Sequence, residues 1–256
     1  MKPGEFTTKL SSITIAKNEE HNIGDCIRSL QGVIDDIVIL VDKNSSDRTL
    51  EIARSFEGVR VEVVEWNGYA GTKAHGLTLV ENDWVFWIDA DERITPALHE
   101  ELVKFKLSTP SAPVYSVPRK AYFLGKWIRH SGWYPGRVQR LFDKSRVRFN
   151  QNAVHEALVF EGDEGRLVHP LDHFTDPDIF HYYEKFNKYT SLAADDLITR
   201  GKTVSKAGIV LRAFFIFIKM YIIKLGFLDG FHGFVLAVFS SNYVFTKYTK
   251  LWEKRK

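Results

Sequence analysis

Over residues 1–118, short apolar runs with a period of two alternate with stretches whose apolar positions recur every three or four residues. Ser12–Ala16 and Ile37–Val41 are β-rich runs, Val59–Val63 alternates, and Trp84–Ile88 has the continuous apolar make-up of a buried strand. Ile23, Ile27 and Leu30 keep a helical spacing, as do Leu50, Ala53 and Phe56 behind a Ser-Ser-Asp start signal. A further helix is predicted from Thr95 as N-cap, with Pro96 at its first position and Leu98, Leu102 and Phe105 on its inner face. Strand and helix alternating in this way predict an α/β domain, doubly wound around a mostly parallel sheet. Its ligand would lie beyond the carboxyl ends of the strands. Residues 119–180 lose this periodicity, become rich in Arg, Trp, Tyr, Gly and His, and read as functional loops. Helical patterns return from Glu184, and from Ala207 onward the chain is aromatic and basic.

The 256 residues are 45% hydrophobic and 26% charged, which excludes a mainly disordered chain. A single cysteine, Cys26, cannot form an internal disulfide, so a cytosolic protein is expected. Met1–Ser12 lacks the apolar core of a signal peptide. The apolar stretch Ala207–Phe245 is interrupted by Arg212, Lys219, Lys224, Asp229 and His232, so it is not expected to span a bilayer. The net charge of +3 is a cancellation. Residues 1–118 carry 12 Lys/Arg against 19 Asp/Glu, and 119–148 carry 9 against 1. Residues 149–202 carry 5 against 10, and 203–256 carry 9 against 2. An acidic body with two basic blocks argues against a surface built for nucleic acid.

Polar groups follow three of the predicted strands: Lys17-Asn18-Glu19-Glu20, Asp42-Lys43-Asn44-Ser45-Ser46-Asp47 and Asp89-Ala90-Asp91-Glu92. Capping of the next helix accounts for an Asn or Ser in such a place, but it does not need three acids together. Carboxylates so close repel, and a hard divalent cation, Mg²⁺ or Mn²⁺, relieves them. Chance gives about one Asp-x-Asp in a chain of this composition. There are two; Asp176-Pro177-Asp178 reads as a turn, and only Asp89-Ala90-Asp91 follows a hydrophobic strand. Neither a Gly-x-Gly-x-x-Gly after the first strand nor a P-loop is present, so a phosphate ligand would be held through the metal.

The stretches Ser12–Glu20, Val41–Thr49, Glu65–Lys73 and Trp87–Arg93 resemble family 2 glycosyltransferases of the GT-A fold. Tyr122–Pro135, Arg140-Leu141-Phe142, Val154-His155-Glu156 and Lys224–Gly230 resemble the branch that adds β-1,4-linked glucose to the lipopolysaccharide core. The resemblance runs from about Ser12 to Trp252; it departs at Asp42-Lys43-Asn44-Ser45-Ser46, where relatives often carry Asp-Ser-Gly-Ser-Thr. It implies a UDP-sugar donor lying across the strand ends. Asp91 would bind the metal most directly, and Asp89 would lie near the ribose or in the outer metal shell. Asp42 would accept from uracil, with Glu19 and the backbone of Ala16 to Asn18 completing that floor, and Lys73 would lie near the nucleotide. The acceptor hydroxyl attacks the anomeric carbon with inversion, so a carboxylate must take its proton. The resemblance assigns that role to Glu156, with Glu92 and Asp172 as alternatives. His155 or His173 could complete the metal shell.

In 119–148, Arg119, Lys120, Lys126, Arg129, Arg137 and Arg140 interleave with Tyr122, Trp127, Trp133 and Tyr134, a mix that stacks on sugars and pairs with phosphate. An anionic lipid-linked saccharide is the expected acceptor, met by Trp127, Arg129, Trp133, Tyr134, Arg140 and His155. On a helical wheel Arg212 and Lys219 share one line and Lys206 and Lys224 another, leaving Ile209, Phe214, Phe217, Ile218 and Ile222 as an apolar arc. That pattern predicts a basic amphipathic helix on the inner face of the cytoplasmic membrane, the alternative being a helix packed on the domain or in a homodimer. The expected organisation is a catalytic domain over 1–202, with a nucleotide-sugar half to 118 and an acceptor half from 119, followed by a membrane-surface tail over 203–256. The rival readings are a sugar nucleotidyltransferase and an inactive membrane-bound scaffold.

Overall fold

Strand and helix alternate as expected in the first part of the computed structural model, which describes residues 8–149 and 158–255. The order is β1 (Leu10–Ala16), α1 (Ile23–Leu30), β2 (Asp36–Asp42), α2 (Thr49–Arg54), β3 (Val59–Val64), α3 (Gly68–Leu79), β4 (Trp84–Trp87), β5 (Glu92–Ile94) and α4 (Pro96–Lys106). Strands β3, β2, β1 and β4 are neighbours in that order and parallel, with Ala16 beside Val41 and Ser12 beside Phe86. Successive residues of β2 serve opposite faces of the sheet, as the pleat requires. Ile37, Ile39 and Val41 enter a core shared with Ile27 of α1, Ala53 of α2 and Leu98 of α4, whereas Val38 and Leu40 enter a second core with Ile13, Trp87 and Leu77 of α3. Helices therefore cover both faces, and continuous apolar runs such as Ile37–Val41 are the ones buried on both sides.

Helix α3 falls on a stretch whose glycines and threonines hide any helical period. Gly76 explains part of that composition: a Cβ there would lie 2.8 Å from Ile13 Cγ2 and 3.1 Å from Leu40 Cδ1, so the helix approaches the sheet where only glycine fits. The start of α4 is as predicted. Thr95 Oγ1 accepts from the Leu98 N–H at 3.2 Å and donates to the Pro170 carbonyl at 2.7 Å. Substituting Thr95 with alanine is expected to cost about 1–2 kcal/mol in urea unfolding.

Residues 119–180 differ from the expected loops, being built largely of strand. They follow as β6 (Val114–Phe123), β7 (Lys126–Trp127), β8 (Gly136–Asp143), β9 (Val147–Phe149), β10 (Leu158–Phe160), β11 (Glu164–Arg166) and β12 (Leu171–Asp176). Strand β8 runs antiparallel to β4, Phe142 beside Val85, and β12 runs antiparallel to β5, His173 beside Glu92. Their basic and aromatic side chains obscure the period of two because much of their burial is polar, as in the buried Arg140 and Ser116.

By contact the chain forms two compact units, Met1–Arg119 with Arg137–His173, and Lys120–Gly136 with Phe174–Lys256. These divide differently from the expected 1–202 and 203–256: residues 120–136 and 174–202 go with the tail. The second unit holds α5 (Ile179–Thr199), α6 (Lys206–Ile218), a π turn (Lys219–Ile223), a 3₁₀ turn (Gly226–Asp229) and α7 (Gly230–Glu253). Its core gathers Phe123, Ile128 and Leu236 with Trp133, Tyr182 and Phe239. Asp178, from the expected turn, caps α5 by accepting from the His181 N–H at 2.7 Å. Among the described residues no helix is long and apolar enough to cross a membrane.

Candidate active site

The loops after β1 and β2 are tied together by their own polar side chains. Asn18 adopts φ 54°, a left-handed conformation that asparagine tolerates, and its Oδ1 accepts from the Ser46 N–H at 2.8 Å. The Glu19 N–H donates to Thr49 Oγ1 at 2.7 Å and the Glu20 N–H to Asp47 Oδ2 at 2.9 Å. Asp42, at the end of β2, is 1% exposed; it accepts from Lys17 Nζ at 2.9 Å, and from the Asn44 N–H and side-chain amide at 2.8 and 3.0 Å. Burial pushes its pKa up, but the Asn44 and Lys17 donors outweigh that and hold it below the usual carboxylate range. Asp42 is thus a fixed anionic acceptor at the sheet's carboxyl edge, one residue beyond Val41, the register partner of Ala16.

The second cluster forms where β4 ends. Arg140 of β8 is buried, and its Nη2 donates to Asp89 Oδ2 at 2.5 Å and to Glu92 Oε1 at 2.6 Å. The Asp89 N–H donates back to Glu92 Oε2 at 3.1 Å. Glu92 has no exposed surface; burial raises its pKa, with the Asp89 charge adding to this, against the attraction of Arg140. Asp89 remains half-exposed, and although burial works against its charge, Arg140 and then Lys73 hold its pKa down at about 2. Lys73 Nζ lies 3.5 Å above the centre of the Trp87 ring, a cation–π contact that steadies the ammonium near Asp89. Beside these groups is a cavity of about 400 Å³ whose lining includes Lys73, Trp87, Ser116, Arg140, Phe142 and Glu164.

The pairing of β12 with β5 places His173 opposite Glu92 and beside Asp91, with Nε2 3.3 Å from Asp91 Oδ2. Both side chains are largely buried, and among the described residues the buried His173 Nδ1 has no hydrogen-bond partner. Two ligands of a six-coordinate cation with bonds of about 2.1 Å stand about 3 Å apart, close to this spacing. A carboxylate oxygen and an imidazole nitrogen suit Mn²⁺, and the carboxylate suits Mg²⁺. Asp91 and His173 therefore fit a divalent cation. Asp89 does not complete a triad with them, since its carboxylate is turned to Arg140; among the described residues no three His, Cys, Asp or Glu side chains form a metal-holding group.

The first unit thus brings together Ala16, Asn18, Glu19, Asp42, Lys73, Asp89, Asp91 and His173 along the ends of its strands. Arg140, expected to meet the acceptor, is instead a buried strut between two acids of this cluster. Glu92, an alternative base, has both oxygens engaged by Arg140 and the Asp89 amide. Glu156 and His155 lie outside the described residues. Trp127, Arg129, Trp133 and Tyr134 belong to the second unit, where the Arg129 guanidinium sits 4.3 Å over the Trp127 ring and Tyr134 meets that ring edge-on. Asp229 holds this loop and was not singled out by the sequence pattern. Nearly buried, it accepts from the Arg129 and His130 N–H groups at 3.2 and 2.9 Å and lies 3.0 Å from His130 Nδ1, while its carbonyl accepts from Lys126 Nζ at 2.8 Å. The only hint was its place in Lys224–Gly230, a stretch that resembles the same branch as Tyr122–Pro135.

Comparison with known proteins decides the family. The sequence profile described as glycosyl transferase family 2 matches residues 11–161. The chain belongs to that family. This family 2 glycosyltransferase is 30% identical to an uncharacterized glycosyltransferase of Rickettsia bellii, over 97% of this chain and 87% of the relative. It is 29% identical to the lipopolysaccharide core biosynthesis glycosyltransferase LpsC of Rhizobium meliloti, over 96% of this chain and 92% of that one. Among solved structures, it is similar to the mannosyltransferase PcManGT of Pyrobaculum calidifontis in complex with GDP-Man and Mn²⁺, with a TM-score of 0.54 and 12% identity over 100% of this chain and 92% of that one. A likeness to S. aureus TarS in complex with UDP has a TM-score of 0.50 and 15% identity, over 97% and 91%. The shared fold is GT-A. The family 2 chain is a nucleotide-sugar glycosyltransferase.

Proposed function

We propose that the chain is an inverting, metal-dependent hexosyltransferase that moves glucose from UDP-glucose to an inner-core sugar of lipopolysaccharide, at the cytoplasmic face of the membrane. The observation that carries this reading is the Asp91–His173 pair beside the Arg140-braced Asp89 at the end of β4. Asp91 and His173 would hold Mn²⁺ or Mg²⁺, which supplies positive charge against the charge that builds on the departing diphosphate. Lys73 adds a second cationic group to the same region. Asp42, ionised and fixed, accepts from the uracil N–H. The acceptor oxygen forms the bond to the anomeric carbon as the bond to the diphosphate breaks with its electron pair, and Glu156 takes the hydroxyl proton.

The lipopolysaccharide acceptor is supported by the LpsC relative, named for core biosynthesis, and by the resemblance of Tyr122–Pro135 and Lys224–Gly230 to the core branch. Glucose rests on that resemblance. Purified protein is to be incubated with Mn²⁺, core lipopolysaccharide from a strain lacking this gene, and either UDP-glucose or UDP-galactose. Incorporation from UDP-glucose alone is expected. Preference for the other donor would overturn the sugar assignment, and transfer from neither would overturn the acceptor.

A further inference from the structure

The tail presents a different apolar face from the one its helical wheel suggests. Ile209 is buried, and the exposed stripe on α6 is Val210, Leu211, Phe214 and Phe215. This exposure continues past the helix: Ile222, Ile223, Leu225, Phe227, Leu228 and Phe231 are all exposed, Phe231 at 75%. Six large apolar side chains in ten residues, unburied by their own unit, are more than scattered surface hydrophobics.

The segment that bears them is braced. A Cβ on Gly233 would fall 1.9 Å from the Gly226 carbonyl oxygen, so α7 and the 3₁₀ turn approach as only glycine allows. The Ser131 N–H donates to the Lys224 carbonyl at 2.8 Å, and Asp229 clasps Lys126, Arg129 and His130 from the same turn. Phe227 and Leu228 are thus held outward on a fixed support, with no room for the turn to collapse over them.

Charge selects the occupant. Lys224 is exposed within the segment and Lys219 just before it, and Lys126 and Arg129 on the clasped loop are exposed as well. Residues 203–256 carry 9 Lys/Arg against 2 Asp/Glu, and one of those acids, Asp229, is buried in the clasp. A second copy of this face would meet it with like charge, whereas anionic headgroups over an acyl layer match both its lysines and its apolar side chains.

We infer that the segment Ile222–Phe231 is a membrane-docking element that inserts into an anionic phospholipid surface, with Asp229 keeping the Trp127–Arg129 loop at that surface. The inference rests on the membrane placement proposed above and names the element responsible. It leaves α6 lying along the interface and assigns the anchoring to the turn beyond it.

The test is sedimentation of the full chain with vesicles of phosphatidylglycerol and phosphatidylcholine, or of phosphatidylcholine alone, for wild type and the variant I223S/L228S/F231S. Hydrolysis of UDP-glucose without acceptor is measured in parallel. Wild type is expected to bind the anionic vesicles, less so at raised salt, and the variant to bind about tenfold or more weakly with hydrolysis unchanged. Equal binding by wild type and variant would overturn the docking element while sparing the membrane placement. Failure of wild type to bind any vesicle would overturn both and leave the donor chemistry standing. A concentration-dependent dimer that the variant loses, without vesicle binding, would reassign the face to a second copy.

Discussion

Replacing Asp91 with alanine is expected to lower sugar transfer by about 10³-fold, with the unfolding midpoint little changed. Two features of Asp91 give this its size. It stands at the carboxyl end of β4, where the chain leaves the sheet, and its carboxylate faces His173 rather than the interior brace. Its loss therefore removes charge from the proposed cation site, and the group left without its partner is the His173 ring rather than a buried carboxylate or guanidinium. His173→Ala acts on the same cation but leaves the carboxylate, so it should raise the Mn²⁺ concentration needed for half activity by about 10–100-fold and be largely rescued by excess metal. A transfer rate for Asp91→Ala within about threefold of wild type would contradict the assignment.

Arg140→Met should instead unfold the first unit more easily. Arg140 is the nearest cation to Glu92, which has no exposed surface, and without it a buried carboxylate keeps only the Asp89 N–H on one oxygen and the Arg119 guanidinium 3.8 Å from the other. Breaking a buried pair from one side costs about 3–5 kcal/mol. For a chain of this size that lowers the melting temperature by about 6–20 °C. The double variant R140M/E92M removes both charges and should recover most of the loss. A single variant as stable as wild type would mean that Glu92 is protonated or hydrated once the guanidinium has gone.

Much of this was legible from residue types. Continuous apolar runs located β2 and β4 because strands buried on both faces carry no polar alternation, the β-rich Ser12–Ala16 located β1, and Thr95-Pro96 located α4 because the cap is a local hydrogen bond. Asp89 and Asp91 were legible as a candidate site because three acids follow a hydrophobic strand. What stayed hidden depended on partners distant in the chain. Strands β8 and β12 are buried through pairing with β4 and β5, and Arg140 could not be told from the solvated arginines around it until its two acids were in place. Helix α3 was masked by Gly76, a packing requirement of Ile13 and Leu40. The apolar wheel of α6 was recognisable in sequence, but its orientation was not, since packing of α7 on α5 and α6 decides which of Ile209 and Val210 is covered.

A nucleoside diphosphate is expected to bind at these strand ends through a divalent cation held by Asp91. Calorimetric titration of UDP into the wild-type chain, with Mn²⁺ and then with EDTA, tests it most directly. Binding is expected in Mn²⁺, weakening at least about tenfold with EDTA, with the same weakening for Asp91→Ala with Mn²⁺ present. UDP binding of equal strength in Mn²⁺ and in EDTA, or no UDP binding at all, would contradict it.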